Sequence, residues 1–187
     1  ASLLRPRRRP RGAKGSPPDD LERALPLVRS SPQTYANLAL LGDKRFHFSP
    51  SGEAFLMYRC AGRSWVAMGD PVGRPEEWLE IGRDLAACGK QVVLSTLALL
   101  ESPADLRALR RIAHNGEFLV EANDLGAVRA LRGGRFVAGY GLNIYNEATL
   151  AWFASLGAVR WLPLARAIAG YLELPLTDAS VRRFADE

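Results

Sequence analysis

The chain has 187 residues, 48% apolar and 24% charged, the balance of one ordinary folded domain with room for a disordered extension. No apolar run approaches the roughly 20 residues that span a bilayer, and Arg5 follows Leu3-Leu4 too closely for a secretory h-region, so neither a span nor a leader is expected. The net charge of +5 is concentrated in an arm: residues 1–16 hold six basic groups and no acid, which leaves 19 basic and 20 acidic groups elsewhere.

Those six are Arg5, Arg7, Arg8, Arg9, Arg11 and Lys14. With Pro6, Pro10, Pro17 and Pro18 around them they have no apolar face to bury, so residues 1–18 are expected to be disordered. Such an arm attracts the phosphates of RNA or of anionic lipid, with affinity that falls steeply in salt. The rest of the chain is nearly neutral, which argues against a nucleic-acid-binding fold, since such a fold carries basic groups on its folded elements. Cys60 and Cys88 stand far apart, with no CxxC or Cys/His spacing, and read as two buried free thiols of a cytoplasmic protein. Neither a metal site nor a cofactor is expected.

In chain order, Pro18-Asp19-Asp20 offers a cap and first-turn acids to a helix carrying Leu21, Leu25 and Val28, which Pro26 kinks or delays. A short helix from Thr34 to Leu41 ends at Gly42. Phe46 and Phe48, the turn Ser49-Pro50-Ser51-Gly52, the run Ala54 to Tyr58, Gly62, and then Trp65, Val66 and Met68 read as antiparallel hairpins. From Pro75 the rhythm changes. Helices over 76–88, 103–114, 125–131 and 147–156 each end near glycine or asparagine-glycine and lead to short apolar strands at 91–94, 118–121, 136–138 and 159–162. Four helix–strand units of this kind predict a parallel sheet. The tail gives a helix from Leu164 to Leu172, a break at Pro175 and a last helical run from Leu176 to Phe184.

Three stretches carry family resemblances. Asn37-Leu38-Ala39-Leu40-Leu41-Gly42-Asp43-Lys44, followed by Trp65-Val66-Ala67-Met68-Gly69-Asp70-Pro71-Val72-Gly73, resembles the soluble domain of the MprF-type phosphatidylglycerol lysyltransferases. That resemblance implies an acetyltransferase-like fold acting in lysine transfer from aminoacyl-tRNA to lipid, and makes 19–73 an opening fragment of it. Gly89 to Leu99, Val120-Glu121-Ala122-Asn123-Asp124, Val137-Ala138-Gly139, Leu142 to Asn146 and Gly157 to Trp161 are similar to the UbiV proteins of oxygen-independent ubiquinone biosynthesis. That resemblance implies a barrel-like domain over 74–163 with an iron–sulfur cluster. The cluster itself is not expected, because Cys88 is the segment's one thiol. Leu164 to Ala169, Leu174-Pro175-Leu176 and Val181 to Asp186 resemble the start of ribose-phosphate pyrophosphokinase, whose ATP- and ribose-phosphate-binding loops would lie beyond 187.

The expected fold is therefore α/β, a half-barrel-like partial parallel sheet preceded by a small α+β hairpin segment and a basic arm. No P-loop, HExxH or nucleophile elbow occurs, and no catalytic residue is assigned. Candidate ligand-binding residues are Glu121, Asn123 and Asp124 at one strand end and Asn143, Tyr145 and Asn146 after the next, because ligands collect at strand C-termini in parallel sheets. The competing reading makes Asn123-Asp124 and Asn146 helix caps. Asp43-Lys44 and Gly69-Asp70-Pro71 are expected to be turns, and His47 and His114 to lack a catalytic partner. The leading functional expectation is a chimeric chain of truncated enzyme segments without a complete activity. The alternatives are a UbiV-like accessory protein, a lysyltransferase fragment and an anion-binding module acting through the arm.

Overall fold

The computed structural model describes residues 16–61 and 64–163. The arm through Lys14, the turn at Gly62 and the tail from Leu164 lie outside them. The chain divides into two compact units, with the boundary between Lys90 and Gln91.

The first unit opens with α1 (Pro18–Ser30), which starts at its proline and has Asp19 and Asp20 in the first turn. No side chain caps it, contrary to the expectation from Pro18-Asp19-Asp20, and Pro26 sits inside the helix instead of delaying its start. A 3₁₀ helix (Thr34–Leu41) ends at Gly42, whose φ of 70° is the left-handed conformation that glycine tolerates best. β1 (Arg45–Phe48), β2 (Ala54–Ala61) and β3 (Ser64–Ala67) form an antiparallel sheet in that order, and β4 (Val72–Gly73) also pairs with β2. The register places Phe46 opposite Met57 and Phe48 opposite Phe55. Phe46, Phe55, Met57 and Val72 are buried with Ala24 and Val28 of α1 and Ala36 and Ala39 of the 3₁₀ helix. The Phe46 and Phe55 rings lie 4.9 Å apart, an arrangement that adds to their burial. α2 (Trp78–Ala87) belongs to this unit, and its Asp84 meets His47 of β1.

The second unit repeats strand and helix: β5 (Val93–Ser95), α3 (Pro103–Ala113), β6 (Leu119–Ala122), α4 (Leu125–Ala130), β7 (Phe136–Ala138), α5 (Glu147–Ser155) and β8 (Ala158–Trp161). All four strands are parallel, in the order β5-β6-β7-β8, and the sheet stays open. Strands and helices alternate as the sequence predicts, with β5 set two residues later at its start than the apolar run Gln91–Leu94. Val120, Ala122, Phe136 and Ala138 pack with Leu109, Ala127, Val128 and Phe153 from the three helices. Helix starts are set locally. Ser102 and Asp105 form a reciprocal capping box on α3, while Asp124 and Asn146 cap α4 and α5. The architecture is thus α/β with a partial parallel sheet.

Both cysteines are exposed, which corrects the expectation of buried thiols. Cys60 pairs with Trp65 where β2 meets β3, a strand whose four residues all face solvent, and Cys88 is the C-cap of α2.

Candidate functional site

β5 and β6 end side by side, with Ser95 opposite Glu121 and Thr96 just beyond. Asn123 follows β6 and is 1% exposed. A buried amide needs its hydrogen bonds made, and here they are. Its Nδ2 donates to Ser95 Oγ and to the Thr96 carbonyl, both at 3.0 Å, while its Oδ1 accepts from Gly141 N at 3.2 Å. Its own backbone N–H donates to Thr96 Oγ1. One side chain therefore ties together the segments that follow β5, β6 and β7.

Glu121 stands beside this knot. Burial pushes its carboxyl above the usual range, against hydrogen bonds from Asn123 and Ser95 that pull it down. Its Oε1 is buried with no hydrogen-bond partner among the described residues. Gly139 covers the pair closely: a Cβ at this position would collide with Asn123 Oδ1 and Glu121 Oε1. Gly141 has its would-be Cβ against the Asn123 carbonyl. The arrangement is a desolvated carboxyl on a rigid polar floor, at the strand ends where parallel sheets hold ligands.

Of the six candidate residues, the fold brings Glu121 and Asn123 together. Asp124 and Asn146 are helix caps, accepting from Ala127 N at 2.6 Å and Thr149 N at 2.8 Å. Asn143 adopts a left-handed conformation at φ 53° and accepts from the Tyr145 hydroxyl at 3.2 Å, a local contact. Sequence reasoning left Ser95, Thr96, Gly139 and Gly141 out of the cluster. The available signal was the polar pair Ser95-Thr96 closing an apolar strand, the same pattern that singled out Glu121 and Asn123. The arm residues Arg5, Arg7, Arg8, Arg9, Arg11 and Lys14 lie outside the described residues.

Two further polar pairs occur in the first unit. His47 Nε2 and Asp84 Oδ2 are 2.7 Å apart, so His47 has an acidic partner that linear spacing did not reveal, 37 residues away. His114 contacts the Arg110 carbonyl of its own helix. Lys44 is 3% exposed and donates to Asp43 Oδ1 at 2.7 Å and to the Leu38 carbonyl at 3.3 Å. That hydrogen bond holds the Asp43 carboxyl below its usual range. Asp43-Lys44 is therefore a buried tie to the 3₁₀ helix rather than a plain turn.

An α/β chain with a polar cluster at its parallel strand ends is as far as the geometry alone reaches. Comparison with known proteins adds the family. The family model described as "Phosphatidylglycerol lysyltransferase, C-terminal" matches residues 23–129, more than half of the chain. The chain belongs to that family. It is 38% identical over 73 residues to a phosphatidylglycerol lysyltransferase of Bacillus subtilis, covering 38% of this chain and 8% of that protein. Among solved structures, the C-terminal domain of a protein described as a lysylphosphatidylglycerol synthetase from Agrobacterium fabrum is 42% identical, covering 37% of this chain and 22% of that one, at a TM-score of 0.35. L-PGS from Bacillus licheniformis is 26% identical over 43% of this chain and 24% of its own, at a TM-score of 0.34. These scores are too low for overall shape to carry an argument. The chain spans less than a quarter of the length of each of these relatives. All these matches are to lysyltransferases, and none supports the resemblance of 74–163 to UbiV or of 164–187 to the pyrophosphokinases. The family match also continues past residue 73, where the sequence reading placed a change of ancestry.

Proposed function

We propose that this chain is part of a phosphatidylglycerol lysyltransferase and serves the transfer of lysine from aminoacyl-tRNA to the lipid headgroup, on the cytoplasmic side where charged tRNA is found. The observation that carries this reading is the family match over 23–129, supported by 38% identity to the Bacillus subtilis enzyme over 73 residues. The buried Lys44–Asp43 tie and the Asn123 knot act as framework in this reading, because both spend their polar atoms on neighbouring backbone or side chains. The test is a graft. Residues 23–129 replace the matching stretch of the Bacillus subtilis enzyme, and labelled lysine is followed from lysyl-tRNA into phosphatidylglycerol vesicles. Transfer above that of the enzyme lacking the stretch supports the reading; a correctly folded graft that transfers nothing sinks it.

A second reading keeps the mosaic for the rest of the chain. The family match ends at residue 129, inside α4, and so leaves β7 and β8 of one four-stranded sheet outside it. In this reading 74–163 is a half-barrel-like sheet, a UbiV-like accessory element, joined to a lysyltransferase segment, and the family match through residue 129 weighs against it. Urea unfolding followed by circular dichroism and tryptophan fluorescence tests it. Two resolved transitions favour joined segments, and a single shared one argues for a common core.

A further inference from the structure

The near-neutral body conceals a segregated charge pattern. Residues 91–163 contain seven arginines, and six of them fall within 107–135. Arg107, Arg110, Arg111 and His114 follow the i, i+3, i+4, i+7 spacing that puts side chains on one helix face, and all four are exposed on α3 and its C-cap. Arg129, Arg132 and Arg135 are exposed on α4 and the turn that follows it. The two turns meet: His114 and Asn115 after α3 and Arg132 and Arg135 after α4 line one cleft of about 600 Å³, together with Glu117. None of the six guanidinium groups makes an ion pair with a described carboxylate.

We propose that this end of the parallel sheet, where its strands begin, is a docking surface for the phosphate backbone of a folded RNA, gripped by Arg110, Arg111, Arg132 and Arg135 around the cleft. The inference rests on the lysyltransferase reading for the identity of the RNA as tRNA, and on the charge arrangement for the surface itself. Guanidinium forks suit bidentate phosphate contacts, and the patch has no lysine. A membrane-lying helix would show large apolar side chains beside its cations. On α3 the one exposed large apolar side chain is Leu106, too few for such a helix, and the exposed Leu97, Leu99, Leu125, Tyr140 and Tyr145 follow the C-terminal ends of β5, β6 and β7, at the opposite end of the sheet from the cleft. The residues of this surface are not those of the basic arm, 1–16.

The experiment titrates the full chain with lysine tRNA, by fluorescence anisotropy, across a salt series. The variant is Arg110→Gln/Arg111→Gln/Arg132→Gln/Arg135→Gln, with the two double variants as partial steps and the all-lysine version as a charge-preserving control. Four lost phosphate contacts lower the slope of log K against log salt by about 3 and weaken binding at least about tenfold at 0.1 M salt. Each double variant gives an intermediate loss, and the lysine version keeps most of the affinity. An unchanged slope and affinity in the quadruple variant overturns the proposal. So does an equal loss of binding to phosphatidylglycerol vesicles, which would assign the surface to a membrane. Failure of the graft with arginine-dependent tRNA binding intact would remove the transferase reading and leave this surface standing.

Discussion

Asn123→Leu tests whether the knot at the strand ends holds the second unit together. Leucine has the same number of side-chain heavy atoms as asparagine, so no cavity opens, and its greater bulk adds an overpacking cost to the loss of the hydrogen bonds. The substitution leaves the Thr96 carbonyl and the Gly141 N–H without the partners they have at 3.0 and 3.2 Å. Thr96 is 5% exposed and Asn123 1%, so water does not readily replace those bonds. A buried polar group left unpaired costs about 1–3 kcal/mol. Two of them give roughly 2–6 kcal/mol, a large part of the 5–15 kcal/mol typical of a domain. Ser95 is exposed and adds nothing, since solvent takes over its bond. The assay is urea unfolding at pH 7 by circular dichroism, with the midpoint lowered and the slope unchanged. A loss below about 1 kcal/mol would mean that the three segments are held by apolar packing alone.

Three other outcomes follow from particular residues. Glu121 and Asp43 carry opposite pH signatures. The raised Glu121 pKa favours the folded state below the unfolded carboxyl range, and that advantage is lost as pH rises through its folded value; the lowered Asp43 pKa stabilises above the unfolded range and is lost as pH falls through its folded value. Glu121→Gln should therefore gain stability relative to the parent as pH is raised from 4 to 8, and Asp43→Asn should lose it as pH is raised through the acid range below the usual aspartate value, in denaturant melts at each pH; a pH-independent difference over its own range for either would contradict the burial and pairing described. Gly157→Ala, at φ 111° with its would-be Cβ against the Gly134 carbonyl, should destabilise by more than about 1 kcal/mol in the same melts, whereas parent-like stability would show that this turn relaxes freely. Cys60 and Cys88 should both be alkylated by iodoacetamide in the folded chain, and protection of either until urea is added would contradict their exposure.

Local chemistry alone determined the elements of this protein. Proline and serine or aspartate before an apolar run set the starts of α3 and α4, and glycines that tolerate positive φ end the helices, because a cap involves atoms only a few residues apart. Short apolar runs between such helices already imply a parallel sheet, and the residues around Asp43-Lys44 and Gly69-Asp70-Pro71 already pointed to the lysyltransferases. Distance along the chain hid the rest. Asp84 lies 37 residues from His47, and Asn123 reaches Ser95 across 28 and Gly141 across 18, so only chain folding makes them neighbours. Burial was equally illegible: cysteines that composition placed inside are outside, and Lys44, whose type belongs in water, is enclosed because a carboxylate and a carbonyl meet its charge. Charge shows the division most clearly. Summed over the sequence, the body is neutral; only the meeting of the turns after α3 and α4 sets Arg132 and Arg135 beside His114 at one end of a sheet, because net charge is a sum and a surface potential depends on where each charge stands.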